Sequence, residues 1–522
     1  MFPGTGVDKT SRRFKVHTCL HQKKWYAWLL GLLSLLWFLI RVIPKPSRAS
    51  YPCQRAAAPM AAGFVVWLAG LAVPGLLWRK SRRLAHDGRA TAAGVALALA
   101  MGAGATWSLF NSTGALHGSE GGDVTYRLSD GPLSPIGVGK GIHPGRVVWV
   151  HDPKAISWNL SGDWWEDAYN NQTAIDGMVS KSLRWAAGKK DDAHSWEALF
   201  QYFNRTHGRG NVGYRAGEKI AIKVNMNNTT DHGVSNRINT SPHLVLSILR
   251  QLVEVADVQQ SAITVLDPSR FIPQYLYDKC HGRFPGVAFV DHVGGDGRTK
   301  AEYRANAIPF SVVSQNASGI ATAATDATYL IDVAILKGHV GQGVTLCAKN
   351  LFGLTSIDPN WRKNRHDYFS AKRDGSPSYM TFVDFLAHKD MGGKTMLFVI
   401  DALFANDLVD DPPHLKWKMP PFNNAMPSSL LVSQDGVAID SVGLDFLRSE
   451  WPQLVDLSYS DYYLHEAALA NDPPSKTIYD PERDGTRCES LGVHEHWNNA
   501  IDKRYSRNLA KDQGIELYAG PR

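Results

Sequence analysis

Beyond residue 145 the chain is punctuated by short apolar runs: RVVWV (146–150), KIAIKV (219–224), AITVLD (262–267), GVAFVD (286–291), TYLIDVAIL (328–336), KTMLFVID (394–401) and SLLVSQD (429–435). Most are rich in β-branched residues and apolar at successive positions, the pattern of strands covered on both faces. Helix-period segments lie between several of them. SPHLVLSILRQLVEVA (241–256) offers Ser241 as an N-cap and Pro242 at the first helical position, and GVAIDSVGLDFLRSE (436–450) is a second amphipathic helix. This alternation predicts an α/β domain over 146–522 with a mostly parallel sheet flanked by helices. Residues 111–145, rich in Gly, Ser and Pro, read as a linker.

The N-terminal quarter has a different pattern. Three apolar stretches, 25–43, 61–78 and 90–110, are each near the length of about 20 residues that spans a bilayer. Basic residues crowd ahead of the first stretch and fill the loop at 79–89, which the positive-inside rule assigns to the cytoplasm. The expectation is an integral membrane protein with three transmembrane helices in 1–110. Its N-terminus is cytoplasmic and its large C-terminal domain lies on the extracytoplasmic, periplasmic side.

Charge then separates the two parts. The net charge is +7, but residues 1–90 hold fifteen Lys or Arg against two Asp, so the remainder is mildly acidic. A basic footprint on the folded part is lacking, which argues against a nucleic-acid partner. Five cysteines without a Cys-x-x-Cys pair exclude a disulfide scaffold and give no iron–sulfur cluster or zinc ribbon to expect.

Candidate chemistry gathers at predicted strand ends. In KGHVGQGVTLCAKN (337–350), Gly338, Gly341 and Gly343 can turn backbone N–H groups inward as an anion-binding concavity beside Lys337 and Lys349. His339, between two ammonium groups, would be a neutral general base. The same composition also describes a solvated glycine-rich loop. Lys223 and Asn225 end another strand, in IKVNMNN, although Asn also favours turns. Asp267, Asp291 and Asp401 each close a strand-like run, where ligands bind in open α/β sheets and where Asp also caps turns. A rival site lies near the C-terminus. His494 and His496, two apart in LGVHEHWNN, could face one way and, with His465, hold a divalent metal.

KIAIKVNMN, SPHLV opening a helix, ITVLD, KGHVGQGVTLCAKNLFG, FVIDAL and GVAIDSVG occur in that order. Together they resemble the bacterial and archaeal family catalogued as domain of unknown function 362, over roughly 215–450. Many relatives carry ferredoxin-type cysteine clusters that this chain lacks, and the N-terminal spans and HEHWNN tail resemble a long subgroup. The resemblance implies an α/β fold and marks Lys223, Asn225, Asp267, Lys337, His339, Lys349, Asn350, Asp401 and Asp440 as site positions. Three functions are compatible with these features. The first is an enzyme acting on an anionic small molecule or cell-envelope precursor, with His339, Lys337, Lys349 and Asp401 catalytic and Lys223, Asn225, Asp267, Asn350 and Asp440 holding a ligand. The second is a non-catalytic ligand-binding or scaffolding domain of an envelope complex. The third is a metal-dependent oxidoreductase or hydrolase.

Overall fold

Strand formation follows the apolar runs. The computed structural model describes residues 131–520, apart from 227–228, 230, 234–235, 340–342, 357–367, 370–376, 408–411, 453 and 455–458. The three expected spans lie outside the described residues. Among the described residues no helix is long and apolar enough to cross a membrane. All described residues belong to one unit, Thr125–Arg522.

The strands are β1 (Ile136–Gly137), β2 (Arg146–His151), β3 (Ile220–Val224), β4 (Ile263–Asp267), β5 (Ala288–Asp291), β6 (Thr299–Lys300), β7 (Tyr303–Ile308), β8 (Ser318–Ala321), β9 (Tyr329–His339), β10 (Gly343–Thr345), β11 (Thr395–Asn406), β12 (Ser429–Ser433), β13 (Val493–His494) and β14 (Glu516–Tyr518). One sheet of ten strands runs β14-β2-β12-β11-β9-β3-β4-β5-β6, with β10 paired to the end of β9. Neighbours are parallel except where β12 lies between β2 and β11 and where β10 folds back on β9. The fold is therefore α/β with a mixed, mostly parallel sheet.

Two hydrophobic clusters cover the sheet, one on each face. Helices α1 (Gln172–Ala187), α2 (Asp192–Thr206), α3 (Pro242–Arg250) and α4 (Gln274–Arg283) bury their apolar sides in one. Helices α5 (Thr322–Thr325), α6 (Cys347–Leu351), α7 (Thr381–Ala387), α8 (Gly436–Glu450) and α9 (Asp461–Ala468) contribute to the other. Chain direction explains this division. From β3 the chain winds through α3 to β4 and through α4 to β5, moving along the sheet with its helices on one face. It then returns to place β9 on the other side of β3 and winds through α6 and α7 to β11, with those helices on the opposite face. Right-handed crossovers require that change of face when the direction of winding reverses. The reversal falls between β3 and β9.

Local signals fix the helix starts. Asp435 caps α8 by accepting from the amides of Val437 and Ala438, and Asn171 caps α1 through Ala174 N. At α3 the expected side-chain cap does not form. Ser241 Oγ has no hydrogen-bond partner, while Ser241 N donates to Asp401 Oδ2 at 2.7 Å. The helical path of 241–256 also changes pitch, becoming a π-helical turn over Gln251–Val255.

Three other expectations are corrected. Residues 131–145, read as part of a linker, belong to the folded unit, because Ile136 and Gly137 pair with His494 and Val493. KGHVGQG, read as a loop, begins as strand. β9 runs on to His339, and Gly343–Thr345 pairs back on it with Lys337 opposite Thr345. KTMLFVID, read as ending at Asp401, continues to Asn406, which leaves Asp401 inside β11.

Candidate functional site

Lys223 is the next-to-last residue of β3, and its register partner on β9 is Asp332. Both side chains are buried, on the face that α6 covers. Asn350, on α6, lies between them. Its Oδ1 accepts from Lys223 Nζ at 3.0 Å and from Asn225 Nδ2 at 3.0 Å, and its Nδ2 donates to Asp332 Oδ1 at 2.7 Å. The ammonium also donates to Val224 O at 2.6 Å and lies 3.5 Å from Asp267 Oδ2. Asp267 in turn accepts from Met226 N at 2.8 Å and from Ser269 Oγ at 3.1 Å. Backbone turns following β3 and β4 are thus tied to the same carboxylate that faces Lys223.

The pair is electrostatically tense. Burial lowers the Lys223 pKa, opposed by the charges of Asp267 and Asp332. Burial pushes Asp332 up to about 8, with Lys223 and the Asn350 hydrogen bond opposing it. Asp332 Oδ2 has no hydrogen-bond partner. Beside this carboxyl is the buried Cys347 thiol, raised well above its usual value by burial and then by the charges of Asp440 and Asp332. Space for the lysine comes from Gly353, where a Cβ would stand 2.7 Å from both Cε and Nζ of Lys223. That steric demand accounts for the glycine in KNLFG.

The structure divides the other sequence-marked residues. Lys337 is fully buried in β9, at a position that alternates with Asp332 and shares its parity with Ile331, Val333 and Ile335, which pack into the cluster on the opposite face. His339 ends β9 half-buried, opposite Gly343, and Lys349 is half-buried on α6. Gly343 has φ +86°, Gly338 stays in the strand against Asp407 O, and Gly341 lies outside the described residues. Asp401, marked as catalytic, is occupied with backbone: its oxygens accept from Ser241 N and from Leu403 N at 3.0 Å. Asp440, marked as a ligand holder, accepts from Cys347 N at 2.8 Å and Ala348 N at 3.0 Å and so caps α6 from α8. Asp291 accepts from Ile272 N, Val293 N and Gly294 N, and from His232. For Asp291, Asp401 and Asp440 the capping role is the one observed.

Sequence reading misses Asp332 and Gly353. The signal for Asp332 is a single acid inside the apolar run TYLIDVAIL, a position where burial is certain and ionisation costly.

The C-terminal histidines form a second cluster. His494 and His496 have ring centroids 5.0 Å apart, and His465, on α9, lies 5.0 Å from His494. His494 Nδ1 is 2.8 Å from Ser441 Oγ. His496 Nδ1 is 2.6 Å from Asp445 Oδ1, and its Nε2 is 3.2 Å from Asp461 Oδ1. Arg448 donates to both Asp461 oxygens, at 2.9 and 2.6 Å. Burial lowers His496, but the charges of Asp445 and Asp461 outweigh it and push the pKa up to about 10. His494 is driven well below its usual value by burial and by its two histidine neighbours. Asp461, Asp445, Ser441 and Arg448 are further residues that the sequence reading does not mark.

Residues 220–445 match the family model described as Domain of unknown function (DUF362). No curated protein matches the chain. The DUF362 stretch runs from β3 into α8 and contains the whole Lys223–Asn350–Asp332 network. It also contains Ser441 and Asp445, whereas Asp461, His465, His494 and His496 follow it.

Proposed function

We propose that the chain is an enzyme that binds an anionic small molecule beyond the carboxyl edge of its sheet and moves a proton with Lys223 and Asp332. One observation carries this reading. The pair bridges β3 and β9, the two strands between which the winding reverses. In open α/β sheets ligands bind in the crevice at such a switch point. Burial lowers the lysine and raises the carboxyl, which brings their proton affinities towards each other and suits general acid–base work near neutrality. A purely structural role explains this less well, because well-packed apolar residues would usually be at least as stable as a buried ion pair.

The half-buried His339 and Lys349 supply imidazole and positive charge near that edge. Lys337, buried on the other face by strand alternation, would act through its field and not by contact. Asp401 and Asp440 hold the surrounding backbone. The apolar stretches in 1–110 and their basic flanks support a membrane-anchored, extracytoplasmic placement, with a cell-envelope precursor as one substrate class.

The test is a thermal-shift screen of the full-length protein against phosphorylated and carboxylated small molecules, with native mass spectrometry for co-purifying anions. One class should stabilise the wild type, and Lys223→Met should lose that shift while remaining folded. A wild type that no anion stabilises would remove the anion from the reading. Tight binding without turnover of the bound compound would favour the non-catalytic ligand-binding domain.

A further inference from the structure

We propose that Asp461, His494 and His496 bind a divalent transition-metal ion, with Asp445 and Ser441 as the outer partners that aim the two imidazoles. The three side chains each offer a ligand atom, and these atoms lie within 4.8 Å of one another. His496 Nε2 and Asp461 Oδ1, 3.2 Å apart, are close to the separation of about 3.4 Å that two ligands at about 2.1 Å hold around a tetrahedral ion.

The tautomer of His494 follows from its neighbours. Ser441 Oγ donates to Val437 O at 2.7 Å, which uses its only proton. The contact between Ser441 Oγ and His494 Nδ1 then requires the imidazole to donate. Neutral His494 is therefore protonated at Nδ1 and carries its lone pair on Nε2. That Nε2 is buried and has no hydrogen-bond partner, in a side chain only 1% exposed. A buried acceptor without a partner costs about 1–3 kcal/mol. An ion-pair network of Arg448, Asp461, His496 and Asp445 accounts for every other group here but leaves this lone pair unexplained. A cation beside it answers the difficulty directly.

His496 is built the same way. Asp445 Oδ1 takes its Nδ1 proton, and Asp445 Oδ2 is fixed by Trp497 N at 3.0 Å and Tyr505 Oη at 2.8 Å. An imidazole held at one nitrogen by a carboxylate, with the other facing a site, is the usual outer arrangement of metal-bound histidine. On binding, the ion takes the place of the proton between His496 Nε2 and Asp461 Oδ1. Arg448 Nη1, 3.5 Å from His496 Nε2 and 2.9 Å from Asp461 Oδ1, has to draw back from the imidazole as the ion enters, while each oxygen of Asp461 keeps a second lone pair for it. His465, four residues after Asp461 on α9, brings a third ring to the same wall. Two imidazoles and a carboxylate suit zinc, iron(II) or manganese better than calcium or magnesium.

Full-length protein, stripped with a chelator, is titrated with Co2+ and followed by its visible d–d absorption, with Zn2+ as competitor. Elemental analysis of untreated protein accompanies the titration. One equivalent of Co2+ should bind and be displaced by Zn2+. His494→Gln and Asp461→Asn should lose at least about 10-fold in affinity, and Asp445→Asn about 10–100-fold. Should His494→Gln not fold, Ser441→Ala keeps all three ligands and should bind about 10-fold more weakly through loss of the fixed tautomer. A folded wild type that binds no Co2+ overturns the proposal, as does undiminished binding in folded His494→Gln or Ser441→Ala.

Discussion

Lys223 and Asp332 stand opposite each other in register on two parallel strands, and both end on the amide of Asn350. One amide thus satisfies a buried cation and a buried acid at once, with its oxygen on the donor and its nitrogen on the acceptor. Asn225 uses the same oxygen, so three side chains of β3, β9 and the turn after β3 are oriented by a single residue of α6.

Asp332 makes stability depend on pH. Its carboxyl ionises near 8 in the folded chain, against a usual 3.8. Between those values the folded state holds a proton that the unfolded state has lost, so this contribution to stability falls as pH rises from about 4 to about 8. Asp384, Asp401, Asp435 and Asp440, each pushed up to about 6 by burial, add a similar slope at the acid end. Asp332→Asn should therefore reduce the decline between pH 6 and 8, leaving the part above 6.5 that His496, pushed up to about 10, contributes, and leaving the slope below 6 largely in place. Urea unfolding at pH 5, 6.5 and 8 measures this, and parallel curves for the two proteins would show that Asp332 does not carry the proton.

Gly353 is predicted to matter through volume. Its missing Cβ is the space that Lys223 Cε and Nζ occupy, and Asp267 Oδ1 lies 3.3 Å from the same point. Gly353→Ala should displace the ammonium from Asn350 or shift α6, at a cost of about 1–3 kcal/mol as in other overpacked cores. Coupling to the network is tested by repeating the substitution in a Lys223→Met background, where the slimmer, uncharged end should recover part of the loss. Equal losses in both backgrounds would separate the glycine from the lysine.

How far the sequence carries depends on the range of the interaction that decides each feature. β2, β3, β4, β5, β9, β11 and β12 all coincide with runs whose apolar character is continuous, and α8 covers 436–450 as its periodicity predicts. These are local patterns that tertiary packing reinforces. KGHVGQG is different, because its composition describes a loop while its first three residues, Lys337, Gly338 and His339, are strand paired with β10. Asp401, expected as catalytic, is found holding backbone for a related reason. Nothing local reveals that the amide of Ser241, just ahead of α3, will take its acceptor from β11. Asp332 is concealed by the same apolar run that identifies β9, and Asp461 joins His494 and His496 only after α9 has packed beside β13. Residue type is readable one position at a time, whereas partnership between strands and helices is not.

Asp401 ties the start of α3 to β11. The carboxylate accepts from Ser241 N and Leu403 N in a buried setting. Asp401→Ala should leave both amides without their present acceptor and destabilise the protein by about 2–4 kcal/mol, taking each unsatisfied amide at about 1–3 kcal/mol with partial relaxation. The anion-induced thermal shift should survive in the folded fraction. Its disappearance with the fold intact would return Asp401 to the ligand site.

Asn350 allows the sharpest separation of charge from shape. Asn350→Leu keeps much of the volume but removes the acceptor of Lys223 and Asn225 and the donor to Asp332, and the buried groups left behind should lower stability by about 3–5 kcal/mol. Asn350→Asp keeps both acceptor contacts but sets a second carboxyl against Asp332 across the 2.7 Å that the amide now spans. Two carboxyls at that distance share one proton, so the substituted protein should be close to wild type in acid and lose stability steeply as pH rises past neutrality. Chemical denaturation of both variants at pH 5 and pH 8 measures the difference. A pH-independent loss in Asn350→Asp would mean that Asp332 is ionised throughout and that Lys223 alone balances it.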